Sequence, residues 1–241
     1  MPRSRVLSWD GCCNVRDLGG LPLEGGGETG FGAVVRSDDV TLLTESGWRA
    51  LSEYGITRIV DLRHEHPPYE PPVEIVRVPL LDPPGIDEIN EVLADVDDPA
   101  VWRRDSYLFF LERFPQKFAR AVSAVAAESD GTVLVHCAGG VDRTGLVSAL
   151  LLRTAGVGID AIAEDYAASE ASWAPTVGEW IAEAPDERER RLRQLLAIMP
   201  AAAMRDVLVE LERRYGSVPG YLTRAGAEAA ALGRVRERLR G

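Results

Sequence analysis

The chain has 241 residues, of which 46% are hydrophobic and 27% charged, enough to bury a substantial core in one large domain. Its formal net charge of −11 excludes a general nucleic-acid binder, whose affinity would rest on clustered Lys and Arg. No apolar run approaches the ~20 residues of a membrane helix, so stable membrane insertion is not expected.

The N-terminal "MPRSRVLSWDGCC" carries two arginines with no apolar h-region behind them, which reads as no secretory signal and points to the cytoplasm. Of three cysteines, Cys12 and Cys13 are adjacent, a poor disulfide framework that fits a reducing compartment and incidental packing. In "NVRDLGGLPLEGGGETGFGAVVRSDD" two glycine clusters read as turns and "AVVR" as a short strand; Arg16 and Asp17 could reach a site or pin the turn. "TLLTESGWRALSEYG" reads as a helix with Thr44 as N-cap and Gly55 as stop. "ITRIVDLR" follows as a strand whose C-terminal end carries Asp61 and Arg63, either site residues or a structural ion pair. The "HEH" of His64 and His66 has no third ligand in view and reads as solvated, so no metal is expected.

"VEIVRVPLLDPPG" reads as a strand ending in a proline-rich loop that holds Asp82. "IDEINEVLADVDD" reads as a short helix, and the stretch from Val101 to Ser129 as helical with a break at Pro115. Phe109 and Phe110, like Trp173 and Trp180 further on, read as core aromatics rather than cleft lining. Residues 83–128 could form a helical lid. "TVLVHC" is short, β-branched and nearly continuous in its apolar character, as a central parallel strand would be. After Gly145 the chain reads as almost entirely helical, with breaks at Gly156, Pro175, Pro185, Pro200, Gly216 and Pro219, and residues 158–241 form a helical C-terminal portion. Within it, "DERERRLR" interleaves opposite charges and reads as a solvated face. Strands alternating with helices predict an α/β fold, a largely parallel central sheet flanked by helices, in a single domain spanning 1–241.

The junction "TVLVHCAGGVDRTGLVSALLL" concentrates the chemistry. A strand ending at Cys137, a loop, and a helix opening near Arg143 would aim backbone N–H groups and a helix dipole at one point, a cradle for a tetrahedral oxyanion. Gly139 and Gly140 permit the tight closure. Helix N-termini and cationic neighbours favour thiolate over thiol, and a thiolate beneath a bound phosphate is placed for in-line attack. Arg143 can hold two phosphate oxygens in its planar fork, and the Thr144 hydroxyl could assist the sulfur as it leaves. Proton transfer needs a carboxyl; Asp142 is favoured, with Asp82 and Asp61 as competitors. His136 precedes Cys137 on the strand and so points to the other face, beneath the loop rather than toward the thiol.

With these residues, "HCAGGVDRTG" resembles the C-x5-R signature of protein tyrosine phosphatases, most closely the bacterial subgroup whose loop reads HC-x-x-G-K-D-R-T-G. "NVRDLGG", "VVRSD", "GITRIVDLR", "DYAASE" and "YGSVPGYL" extend the resemblance over most of the chain. It implies Cys137 as nucleophile, Arg143 as phosphate-binding arginine, Asp142 in proton transfer, and substrate binding by Ala138, Gly139, Gly140, Val141 and Thr144. It also implies no metal or organic cofactor, phosphorylated protein or peptide substrates, and inorganic phosphate as product. Val141 stands where the subgroup has lysine, which weakens a phosphoinositide or other small-molecule substrate relative to phosphotyrosine or dual specificity. A rhodanese-type sulfurtransferase and a non-catalytic phosphate-binding module are the competing classes; the first is disfavoured by the spacing of Arg143, the second by the presence of both Cys137 and Arg143.

Overall fold

The computed structural model describes residues 3–65, 71–128 and 130–241. In chain order, β1 (Arg16–Asp17) and β2 (Val34–Ser37) precede a short 3-10 turn, α1 (Glu45–Glu53) and β3 (Ile56–Asp61). Then come β4 (Glu74–Arg77), α2 (Pro83–Val92), α3 (Pro99–Arg113), α4 (Pro115–Ala126) and β5 (Thr132–His136). The remainder is helical: α5 (Asp142–Ala155), α6 (Ile159–Ala167), α7 (Ser169–Ala182), α8 (Glu187–Ala197), α9 (Ala201–Tyr215), α10 (Val218–Arg224) and α11 (Ala229–Arg240).

The strands form one sheet in the order β1-β2-β5-β3-β4, parallel except for β1, which is antiparallel to β2. This is the largely parallel α/β architecture expected. Strand alternation divides the core. Val34, Val60, Val133 and Val135 join the cluster with α4, α5 and α11, whereas Val35, Ile59 and Leu134 pack with Trp9 and Leu51 of α1 on the other face. Register aligns the strand ends as a row: Ser37 beside His136, His136 beside Asp61, Asp61 beside Arg77. Cys137 follows at the carboxyl end of the central strand, the edge at which parallel sheets build sites.

α5 is buried nearly all round, with Leu146, Val147, Leu150, Leu151 and Leu152 inaccessible, so it runs through the core between the sheet and the C-terminal helices. Gly156 ends it at φ 91, and Val157 N–H returns to Leu152 carbonyl at 3.0 Å, a left-handed cap that a side chain would strain.

Three expectations change. Asp82 is not in a loop but is the N-cap of α2, its carboxylate accepting from Gly85 N–H at 3.0 Å; Pro83 and Pro84 suit a first helical turn, where no amide hydrogen is needed. Pro175 does not break the chain but lies inside α7, where the Trp173 and Trp180 rings, one on each side of it, meet edge to face at 5.5 Å. A lid over 83–128 does not extend to α4, whose Phe118, Val122 and Val125 are buried against the sheet layer. Replacing Leu151 by Ala should lower unfolding stability by about 2–5 kcal/mol in a chemical denaturation experiment, since its side chain is fully buried in the central helix.

Candidate active site

The loop from Cys137 to Val141 is held by its carbonyls. Ala138 carbonyl accepts from Asp39 N–H at 3.0 Å. That of Gly139 accepts from Asn14 Nδ2 at 3.1 Å and Trp173 Nε1 at 3.0 Å, and that of Gly140 from Arg36 Nη2 at 2.8 Å. In a trans peptide the C=O and the following N–H point in opposite directions. The amides of Gly139, Gly140 and Val141 are therefore turned away from these supports, toward the inner side of the loop. The first α5 bond nearby runs from Gly145 N–H to Val141 carbonyl, so the amides of Asp142, Arg143 and Thr144 lie in the turn that no intrahelical carbonyl serves. Gly140 sits at φ 66, and a Cβ there would come within 2.7 Å of Asp38 N and Ser37 O, so the loop closes directly on the β2 backbone.

Behind the loop lies a buried ion cluster that spacing alone did not reveal. Asp165 of α6 meets Arg36 at 2.7 Å and Arg16 at 3.5 Å, and is also bonded by Arg5. Burial alone would raise the Asp165 carboxyl, but Arg36, Arg16 and Arg5 together hold it well below the usual range. Burial, reinforced by Arg36, lowers the Arg16 guanidinium to about 10. Ser169 accepts from Arg16 at 2.9 Å, while Asn14 bridges Arg16 to the Gly139 carbonyl. The carboxylate of Asp38 receives the amides of Cys13 and Asn14. Asp17 takes the turn-pinning role through Gly19 and Gly32 amides and the Tyr54 hydroxyl. The signal available in the sequence was polar residues within apolar strands and helices: Arg36 in "AVVRSD" and Asp165 in "DYAASE".

His136 is fully buried on the opposite face from Cys137, its Nδ1 3.2 Å from the Cys137 carbonyl, an acceptor only, so the proton resides on Nδ1. Burial pushes the imidazole down to about 4, outweighing the opposing pull of Asp61, whose Oδ1 is 3.6 Å away. Asp61 and Arg63 form the structural ion pair, bonded at 2.9–3.3 Å, and Arg63 reaches on to Asp39 at 2.6 Å. Burial works against the Asp61 carboxylate too, yet the Arg63 hydrogen bonds and His136 leave it lowered.

The remaining residues divide clearly. Cys137 is 2% exposed at the base of the loop, and Arg143 is half-buried in the first turn of α5. Among the described residues the Thr144 hydroxyl is buried without a hydrogen-bond partner. Asp142 is 40% exposed, and its Oδ1 accepts from Arg103 Nη1 and from the Tyr107 hydroxyl, each at 2.6 Å. Asp82, engaged with Gly85 and 3.9 Å from Lys117, has no bond to the loop. Val141 is buried in the core beside Cys137. Trp173 packs against the main core as expected and also lies against Gly139, where a Cβ would come within 2.2 Å of its ring. Burial raises the Cys12 thiol, and burial raises Cys13 to about 12, Asp38 adding to both. Of the "HEH" pair, His66 lies outside the described residues. Among the described residues no group of three metal-ligating side chains is assembled, and no helix is long and apolar enough to cross a membrane. A cavity of about 590 Å³ lies between α2, α3 and α8, lined by Trp102, Leu192 and Leu195 and by no loop residue.

Two outcomes test this geometry. Gly140→Ala should cut kcat/KM for a small aryl phosphate by at least about tenfold, because the β2 backbone cannot give way as a side chain would. His136 binds its proton more weakly folded than unfolded, so stability should fall as pH drops from 6.5 toward about 4, by roughly 3 kcal/mol over that window. The depressed Asp165 carboxyl contributes stability above its ordinary value of 3.8 that is lost only at lower pH, a separate window. Thermal melts against pH should therefore be flatter for His136→Asn than for the wild type between pH 6.5 and 4.

The tyrosine phosphatase family model matches residues 7–241. A tyrosine-protein phosphatase of Nostoc commune is 28% identical over 225 residues, covering 86% of this chain and 74% of the relative. The triple specificity protein phosphatase PtpB of Mycobacterium tuberculosis is 28% identical over 255 residues, covering 87% of this chain and 91% of the relative. With a match that spans the sheet, the loop and every helix, the chain belongs to the tyrosine phosphatase family, whose members are cysteine-dependent phosphatases.

Proposed function

We propose that this protein tyrosine or dual-specificity phosphatase works through Cys137 as nucleophile, and that phosphotyrosine in a protein or peptide is its preferred substrate. The observation that carries the assignment is the outward anchoring of the Ala138, Gly139 and Gly140 carbonyls, which turns the loop amides inward for the phosphoryl oxygens. The thiolate attacks phosphorus in line; an S–P bond forms as the P–O bond to the leaving group breaks, and Asp142 gives its proton to the departing oxygen. Water then attacks the phosphocysteine and loses its proton to Asp142, and the S–P bond breaks to release inorganic phosphate and the thiolate. Arg143 pairs with two equatorial oxygens, and the partnerless Thr144 hydroxyl is available to the departing sulfur. Asp142 is preferred to Asp82 because it opens the helix at the end of the loop, whereas Asp82 caps α2.

The single-domain reading of 1–241 is supported by the core that continues from the sheet through α11. The named triple specificity of the mycobacterial relative raises a phosphoinositide substrate as the second reading. The buried apolar Val141 argues against it, since a polyphosphorylated head group would gain no cation there.

Turnover of a phosphotyrosine peptide, a phosphothreonine peptide, a phosphoinositide and a small aryl phosphate should be measured without added metal. Phosphotyrosine should be fastest, and Cys137→Ser should lower every rate by more than about a thousandfold. A faster phosphoinositide would replace the substrate assignment, and thiosulfate-to-cyanide sulfur transfer would replace the reaction.

A further inference from the structure

We infer that Arg103 is a positioning residue for Asp142, acting with Tyr107 to occupy one carboxyl oxygen so that the other carries the proton delivered to the leaving group. The inference rests on the proposed role of Asp142 as proton donor.

Arg103 of α3 is 1% exposed, and its guanidinium is committed in every direction. Nε donates to the Ile198 carbonyl at 2.7 Å and Nη2 to the Leu196 carbonyl, both at the C-terminal end of α8. Nη1 donates to Asp142 Oδ1 at 2.6 Å and to the Tyr107 oxygen at 2.8 Å. Carbonyls only accept, and a helix C-terminus favours a cation, so this position calls for a charged fork of several donors, which a lysine point charge cannot reproduce.

Tyr107 completes the clamp. Its hydroxyl lies 2.6 Å from Asp142 Oδ1 and 2.7 Å from the Tyr166 hydroxyl. Because it already accepts from Arg103, its own hydrogen is free to point at the carboxylate, with Tyr166 donating to it in turn. The Tyr107 and Tyr166 rings meet edge to face at 5.9 Å, which fixes both hydroxyls.

Oδ1 thus receives two hydrogens, and protonating it would place a third among them. The transferable proton belongs on Oδ2, on a side chain that is 40% exposed. When Oδ2 gives up that proton, the resulting carboxylate faces a guanidinium that no conformational change need supply. Both proton transfers of the proposed cycle, to the leaving oxygen and from the attacking water, then use one oxygen in one orientation.

The test is leaving-group dependence, measured as kcat/KM, which reports the step that expels the leaving group, over a series of aryl phosphates from dinitrophenyl, which departs without a proton, to phenyl, which needs one. Asp142→Asn should lose progressively more activity toward phenyl phosphate. Arg103→Gln and Tyr107→Phe should show the same steepening, losing on the order of tenfold or more at phenyl and less than about threefold at dinitrophenyl. On the Asp142→Asn background neither should steepen the dependence further. If Arg103→Gln does not fold, the near-isosteric Tyr107→Phe decides. A uniform loss across the series in Tyr107→Phe and Arg103→Gln, with Asp142→Asn still steep, overturns the positioning role and leaves Asp142 as donor. A flat series in Asp142→Asn removes the donor assignment itself, and the positioning role with it.

Discussion

The loop depends on a buried negative charge. Asp165, on a helix that follows the loop in sequence, is nearly inaccessible and could not remain ionised there without the guanidinium groups of Arg5, Arg16 and Arg36. Those arginines are in turn the loop's scaffold: Arg36 binds the Gly140 carbonyl directly, and Arg16 orients Asn14, which binds that of Gly139. An apolar residue at 165 would leave Arg16 and Arg36 as uncompensated buried charges, so the carboxylate and the loop conformation stand or fall together. Orientation of backbone amides is bought in this way, since every carbonyl held from behind fixes an amide in front.

Position 165 has a neighbour with the complementary task. Tyr166, next in α6, turns to the other side and bonds Tyr107, which with Arg103 holds Asp142. One helical turn thus serves both ends of the loop: the glycine peptides through Asp165, and the first residue of α5 through Tyr166. The α8 terminus enters the same network through its carbonyls on Arg103, which ties the helical C-terminal half to the proposed proton donor. On the opposite sheet face, a neutral His136 anchors the Cys137 carbonyl, with the Asp61–Arg63 pair beside it.

Much of this organisation was legible in the sequence where a local rule had no competitor. β-Branched apolar runs gave strands, Thr44 capped its helix, and strand–loop–helix spacing brought Cys137, the glycines, Asp142 and Arg143 to one junction. Local reasoning failed where a side chain's role depends on a partner far along the chain. Pro175 read as a break because its missing amide hydrogen is a local fact, whereas the Trp173–Trp180 contact across it is a product of packing. Trp173 read as core, and it packs there; its further bond to the Gly139 carbonyl, from a helix far along the chain, was not legible locally. Asp82 read as a loop carboxylate because prolines follow it, although prolines equally open a helix.

The sequence by itself determined the chemistry on offer: a cysteine at a strand end, a glycine loop, and an arginine and an aspartate opening a helix. These are fixed by spacings of a few residues, within reach of local geometry. The tertiary structure alone decided which polar residues support that chemistry. Asp165 meets Arg36 across 129 positions, and Arg103 meets Asp142 across 39. Such pairs form because a buried charge must find its counter-charge wherever the fold brings one, and no local periodicity encodes that meeting.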